Sequence, residues 1–113
     1  MKMLLVIILA AIILVACGKS VDVKEMYKVD SEQDAQQATK NVEMTTTEKY
    51  DESKLKKIII DASSQYNHDV VNGIRFKILQ DGKQYAQAKI AFNKTGMNAT
   101  GTKKENIAEI TIK

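Results

Sequence analysis

The sequence predicts an α+β domain in which one amphipathic helix packs on a small antiparallel β-sheet. From Asp51 the apolar residues recur at the spacing of a helix, and beyond residue 73 they alternate with polar residues, as in half-buried strands. Three C-terminal strands form the expected sheet, and one or two weaker strands before the helix are candidate additions. An apolar segment and a polar stretch precede this domain.

The first seventeen residues have the layout of a secretory signal peptide. Lys2 supplies a positive charge, and an uncharged, largely apolar run over residues 3–16 leads to Cys17-Gly18-Lys19-Ser20. A membrane-spanning helix needs about 20 apolar residues, so this run is short for a span. The alternative is an uncleaved signal anchor in which the cysteine is incidental. The length and the flanking residues favour a cleaved signal peptide over residues 1–16.

Leu14-Val15-Ala16-Cys17 resembles the lipobox of bacterial lipoproteins. The resemblance implies diacylglycerol on the Cys17 sulfur and cleavage between Ala16 and Cys17. Among side chains only a thiolate is a good nucleophile for that alkylation, so serine should not substitute. The implied partner is a membrane, held through the Cys17 lipid. The implied location is the bacterial cell envelope, facing away from the cytoplasm, with the inner, outer or Gram-positive membrane left open.

Composition limits the remaining chain to one small domain. Removing residues 1–16 from the 113 leaves 97, which we divide into a lipidated tether at 17–24 and the α+β domain at 25–113, with the clearest patterns in 51–113. The chain has 17 basic and 14 acidic side chains, no Trp and only two Phe, so neither charge nor aromatic content favours nucleic acid. Cys17 is the only cysteine, which excludes an internal disulfide.

Two segments before the helix have strand character. They are residues 26–29 and residues 41–47, and in the second segment Val42 and Met44 share one face. Between them, Ser31-Glu32-Gln33-Asp34 is a candidate cap for a short helical turn that runs through Ala38.

The segment from Asp51 is predicted to be an amphipathic helix. Asp51 is the expected N-cap, and Asn67-His68-Asp69 is the expected end of the helix. Ile60 points away from the apolar stripe and is expected to be a partly covered surface residue. The stripe recurs every three or four residues and consists of Leu55, Ile58, Ile59, Ala62 and Tyr66.

Three strands follow the helix, and their apolar residues alternate with polar ones. Residues 93–104, between the last two strands, are expected to form a long loop. The apolar sets are Ile74, Phe76 and Ile78, then Ala86, Ala88, Ile90 and Phe92, and finally Ala108, Ile110 and Ile112.

The first two strands form a predicted hairpin whose turn conflicts with the apolar pattern. Asp81-Gly82 favours a two-residue turn, but that register places Phe76 and Ile78 on the same face as Gln87 and Tyr85. We therefore expect a bulged three-residue loop at residues 80–82. This register pairs Leu79 with Lys83, Phe76 with Ala86 and Ile74 with Ala88, and it groups Arg75, Lys77, Gln87 and Tyr85 on the polar face.

The stretch from Tyr27 to Thr100 resembles a family of small bacterial α+β domains of unknown function. The resemblance implies the fold and carries no activity. The segments that carry it are Tyr27-Lys28-Val29 with Ser31-Glu32-Gln33-Asp34, Leu55 to Ala62, Ile74 to Leu79, and Tyr85 to Gly96.

The sequence contains no convincing catalytic or metal-binding pattern. His68 is the only histidine, so one chain cannot build a zinc site from several imidazoles. His68 and Asp69 could form an acid/base pair with Ser63 or Ser64, but a solvated histidine at a helix end explains the pattern better. Gly96 to Lys104 is a near miss to a phosphate-binding loop, because Thr precedes Lys after the second glycine and no helix is expected to begin there.

We therefore expect a protein that is not an enzyme and that needs no cofactor. The expected function is a protein-interaction module of the exclusion or immunity type, by analogy of size and layout. The alternative is a small accessory subunit of an envelope assembly. Both interpretations imply an unidentified protein partner.

Overall fold

A computed structural model describes residues 22–113, so the predicted lipidation and cleavage positions, Ala16 and Cys17, lie outside the described residues. Two 3-10 turns, Val23–Glu25 and Gln36–Ala38, flank the first strand. The α+β class is confirmed, with two helices packed on one five-stranded sheet. The elements in chain order are β1 (Tyr27–Ala35), β2 (Thr39–Thr46), α1 (Glu52–Ser63), β3 (Gly73–Gln80), β4 (Lys83–Ala91), α2 (Lys94–Thr100) and β5 (Glu109–Ile112).

The strands lie side by side in the order β1-β2-β3-β4-β5. All neighbours are antiparallel except β2 and β3, which run parallel. The sheet is therefore mixed, rather than antiparallel throughout as expected. β2 and β3 are parallel because α1 connects them and returns the chain to the end of the sheet where β2 began.

Helix α1 buries the predicted apolar stripe against one face of the sheet. Leu55, Ile58 and Ile59 are fully buried, whereas Ile60 is 46% exposed, as the helical phase requires. The Asp51 carboxylate accepts a hydrogen bond from the N–H of Lys54 at 2.9 Å, which confirms the predicted N-cap.

The predicted end of this helix is wrong, because α1 stops at Ser63 and residues 67–69 follow as a separate turn. The hydroxyls of Ser63 and Ser64 donate to the carbonyls of Ile60 and Asp61 at 3.0 and 2.6 Å. Such local hydrogen bonds compete with the helical pattern and explain the earlier stop.

Both strands predicted before α1 are present, and each is longer than its sequence pattern indicated. Val42 and Met44 share the buried face of β2, as expected. Residues 31–34 do not cap a helical turn, because they pair with β2 inside β1, and the turn lies at Gln36–Ala38 instead. The ladder to β2 satisfies the backbone of 31–34 more completely than one isolated turn could.

The hairpin between β3 and β4 closes with a two-residue turn. Gln80 pairs directly with Lys83, and Asp81 and Gly82 have φ values of 54° and 78°. Positive φ at both central positions defines the type I′ turn, which glycine adopts without steric cost at the second position. The predicted three-residue loop is therefore wrong.

A β-bulge beyond this turn reconciles the turn with the apolar pattern. The register shifts between Ile78, which pairs with Ala86, and Leu79, which pairs with Gln84, so that Tyr85 is the extra residue. Phe76 then faces Ala88, and not Ala86 as predicted. The apolar residues share one face, as the sequence required, but the bulge turns Tyr85 inward, where it is 7% exposed.

Residues 93–104 contain a helix, α2, and are not the long loop expected from the sequence. The side chain of Asn93 caps its start by accepting from the N–H of Gly96 at 2.9 Å. α2 packs against the end of the sheet on the face opposite α1, since a Cβ on Gly73 would lie 3.1 Å from Thr100 Cγ2. Seven residues with an internal glycine are poor helix formers alone, so tertiary packing stabilises α2.

A candidate binding face on the sheet

The two faces of the sheet differ in chemistry. Period-two alternation buries Ile74, Phe76 and Ile78 under α1, so the intervening residues of β3 project from the opposite side. There α2 covers only one end of the sheet. The uncovered part, which we call the open face, is formed on the three central strands by Asn41, Glu43, Arg75, Lys77, Gln87 and Lys89.

The pairing register orders the open face into two rows across the sheet. Arg75 lies between Asn41 and Lys89, whereas Lys77 lies between Glu43 and Gln87. Arg75 and Lys89 are thus a directly opposed pair of like charges. Cross-strand pairs of like charge destabilise a sheet, so this arrangement lowers the stability of the fold.

The open face is concave. The depression has a volume of about 510 Å³ and extends from β1 at Gln33 to β5 at Glu109. Thr100, near the end of α2, bounds it. Depressions of about 300–1,000 Å³ are usual for ligand sites in proteins, so the open face has room for a short peptide segment.

The cations of the open face lack carboxylate partners. Among residues 22–113, neither Arg75, Lys77 nor Lys89 lies within 4.0 Å of a carboxylate oxygen. Glu109 faces Lys89 in the register, but its carboxylate accepts a hydrogen bond from the N–H of Lys103 at 2.7 Å. Glu43 is the remaining carboxylate of the face, so the three cations outnumber the two carboxylates.

A hydrogen bond of Arg75 links the open face to α2. Its guanidinium donates to the carbonyl of Ala99 near the C-terminal end of that helix. A cation at the C-terminal end of a helix stabilises it, because the last carbonyls of a helix carry partial negative charge. The other guanidinium N–H groups remain available, since arginine has five donors.

Carboxylates on the opposite side of the sheet connect β1 with α1 and with the segment that follows it. Tyr27 on β1 donates its hydroxyl to Asp61 on α1 at 2.6 Å, and Lys24 forms an ion pair with the same carboxylate at 3.3 Å. Tyr66 donates to Glu32 at 2.9 Å. Burial, and then these hydrogen bonds, raise the pKa of Tyr27 above its ordinary value and the pKa of Tyr66 to about 12.

His68 has a packing role in the structure. Its Nε2 lies 3.0 Å from the Ser63 carbonyl, so that nitrogen carries the proton, and its ring stacks on Phe92 with the centroids 3.6 Å apart. The hydroxyls of Ser63 and Ser64 donate to backbone carbonyls. Neither serine hydroxyl is hydrogen-bonded to His68.

The glycine-rich segment also lacks the geometry of a phosphate-binding loop. Gly96 lies inside α2, and Gly101 ends that helix, so no helix begins at Lys103. Thr100 and Thr102 are buried, with their hydroxyl oxygens 3.1 Å apart. This segment therefore packs against the sheet and does not encircle a ligand.

Residues 22–113 contain no cluster of three or more His, Cys, Asp or Glu side chains placed to hold a metal ion. No helix in this part of the chain combines the length and apolar character needed to cross a membrane.

The sequence identified part of the open face. It predicted that Arg75, Lys77, Gln87 and Tyr85 share the polar side of the hairpin. This is confirmed for the first three and wrong for Tyr85, which the bulge turns inward. It missed Glu43 and Lys89 as neighbours of that set. Period-two alternation was the available signal for Lys89, whereas the place of Glu43 depends on the parallel pairing of β2 with β3, for which no local pattern exists.

The chain matches no protein-family model, and no curated protein or solved structure shows a significant match to it.

Proposed function

We propose that this protein is a lipid-anchored lipoprotein of the bacterial cell envelope that acts as a non-catalytic protein-interaction module. The motif Leu14-Val15-Ala16-Cys17 carries the proposal for the anchor. The open face, a concave and charged sheet surface, supports the proposal for binding. An anchored module of this kind recruits or blocks another surface protein, as exclusion and immunity lipoproteins do.

Support for a binding role also comes from the contacts of titratable side chains on the α1 side of the sheet. His68 is stacked and hydrogen-bonded to a carbonyl, Asp61 accepts from Tyr27, and Glu32 accepts from Tyr66. General acid/base catalysis needs a group within hydrogen-bond reach of the reacting proton. These contacts hold elements of the domain together and direct the groups away from the open face.

The alternative is an accessory subunit of an envelope assembly, and one edge of the sheet favours it. β5 is a four-residue outer strand that ends at Ile112, which is 47% exposed, and Ile107 just before the strand is exposed to the same extent. An uncovered edge strand offers its backbone groups to another strand.

Mass spectrometry of the membrane-extracted protein tests the anchor. The wild-type chain is expected to start at Cys17 and to carry acyl mass, because the thiolate is alkylated before cleavage. Cys17→Ser is expected to leave the precursor at full length without acyl mass, whereas Ser20→Ala, outside the motif, is expected to be processed normally. A wild-type chain that starts elsewhere, or that lacks acyl mass, excludes the lipoprotein assignment.

Affinity purification from detergent-solubilised membranes tests the interaction. One protein that co-purifies in stoichiometric amount with the wild-type chain supports the interaction module. Several proteins in fixed ratio favour the accessory subunit. No protein enriched above the level recovered from membranes without the tagged chain contradicts both.

A further inference from the structure

We infer that the open face binds an acidic segment of the protein partner through Arg75, Lys77 and Lys89. This inference rests on the proposed interaction function and specifies the chemistry of the partner. It follows from the charges of the face, from their spacing and from the side on which the chain enters the domain.

The two opposed cations of the open face favour a ligand that carries a carboxylate. Arg75 and Lys89 face each other across β3 and β4, and neither lies within 4.0 Å of a carboxylate among residues 22–113. A carboxylate placed between them removes the repulsion and accepts hydrogen bonds from both. Arg75 retains N–H donors for this purpose, because Ala99 engages only part of its guanidinium.

The spacing of Arg75 and Lys77 indicates an extended ligand. Alternate residues of a strand project from one face and lie roughly 6.6 Å apart. An extended segment with acidic residues at alternate positions repeats at the same distance, so two of its carboxylates reach the two rows together. Gln87 and Asn41 beside these cations can hydrogen-bond the same segment.

The point of chain entry favours a protein over lipid headgroups. The turn Val23–Glu25 packs on α1, where Lys24 contacts Asp61 at 3.3 Å, so the chain enters on the side of the sheet that α1 covers. Cys17 precedes Asp22 by five residues, which span at most about 18 Å. A membrane held through Cys17 is therefore tethered to the α1 side of the sheet, opposite the open face.

The test is fluorescence anisotropy with the full lipidated protein in nanodiscs of neutral phosphatidylcholine. The probe is a fluorescein-labelled peptide of alternating Glu and Ser, and its control has Gln for every Glu. The Glu peptide is expected to bind at least about ten-fold more tightly, as for two or three partly exposed ion pairs. Lys77→Gln is expected to weaken binding of the Glu peptide about three-fold. Lys57→Gln, on the exposed side of α1, is the matched control and is expected to change nothing.

Two further variants sharpen the test. Glu43→Gln removes the carboxylate that repels an acidic ligand, and it is expected to tighten binding about two-fold or more. Arg75→Gln is expected to weaken binding, and circular dichroism checks whether loss of the Ala99 contact disturbs α2. Because no hydrogen bond or ion pair of the Lys77 side chain links it to α2, Lys77→Gln decides the question if Arg75→Gln fails to fold.

Equal affinity for the Glu and Gln peptides, or equal losses from Lys57→Gln and Lys77→Gln, overturns the inference. Tight binding to phosphatidylglycerol vesicles that the Glu peptide cannot displace also overturns it, in favour of a lipid ligand. If Lys77→Gln still co-purifies the partner at wild-type level, the open face is not the docking site, although the interaction function stands. If Cys17 carries no lipid while the peptide results hold, only the proposed anchor fails.

Discussion

Tyr85→Phe is expected to destabilise the domain, because the bulge in β4 directs the Tyr85 hydroxyl into a polar cluster at the edge of the core. The hydroxyl oxygen lies 2.7 Å from Thr46 Oγ1, 3.2 Å from the Glu48 carbonyl and 3.3 Å from the Tyr50 nitrogen. Thr46 can still donate to Glu48 at 2.7 Å without it. The Tyr50 N–H loses the acceptor found for it in the structure.

The expected loss of unfolding free energy depends on this difference, since Thr46 keeps a hydrogen bond and the Tyr50 N–H does not. Phenylalanine keeps the buried ring, so the apolar area removed from water barely changes. The loss is one net hydrogen bond, worth about 0.5–1.5 kcal/mol, and part of the 1–3 kcal/mol penalty for a donor without a partner. Tyr50 is half-buried and water can reach it, so we expect a loss of about 1.5–2 kcal/mol.

Urea unfolding followed by circular dichroism measures this loss. Tyr50→Phe is the matched control, since it removes an exposed hydrogen bond of 2.6 Å between the hydroxyls of Tyr50 and Thr47. Its expected cost is below about 0.5 kcal/mol. Equal costs for the two variants, or a neutral Tyr85→Phe, would refute the role assigned to the bulge.

Three further predictions concern the helices and a polar link to the sheet. Ile59→Asp is expected to cost several kcal/mol in urea unfolding, because it buries a charge in a fully covered site. Ile60→Asp, at a site 46% exposed, is expected to cost about 1 kcal/mol or less, and equal costs would contradict the helical phase. Tyr66→Phe is expected to flatten the decline in stability above pH 10 that wild type shows. The folded pKa of about 12 exceeds the ordinary 10.0, so this contribution is complete below pH 10 and disappears toward pH 12. A parallel decline in both proteins contradicts this link. Gly96→Ala is expected to lower the melting temperature by several degrees, since its Cβ would lie 1.9 Å from the Asn72 carbonyl oxygen. An unchanged melting temperature contradicts this close approach.

The sequence alone was sufficient to predict the features that depend on local periodicity. The stripe of α1 and its cap at Asp51 follow from helical spacing and N-cap chemistry, and the structure contains both. Alternation placed Arg75 and Lys77 on the side of β3 away from the core, so two of the three cations of the open face were predictable from the sequence. These features depend on backbone geometry within one element and on which of its sides meets the core.

The hairpin shows where local rules stop being sufficient. Asp81-Gly82 and the apolar alternation each gave a correct signal, yet together they appeared incompatible. The structure satisfies both by inserting Tyr85 as a bulge, whose hydroxyl then finds partners on β2 and in the segment after it. Those partners lie more than thirty residues away in the chain, so no local pattern could reveal this solution.

Only the tertiary structure decided the parallel pairing of β2 with β3, the helix α2 and therefore the boundaries of the open face. Glu43 comes beside Lys77 because α1 returns the chain to the start of the sheet. α2 forms because Gly96 allows its backbone to approach Asn72 closely, although seven residues with weak helix propensity would not be helical alone. Except at Tyr85, which the bulge turns inward, the sequence by itself determined which side chains of the regular strands point away from the core. Long-range packing determined which of them became neighbours, because pairing energy arises only when distant segments meet.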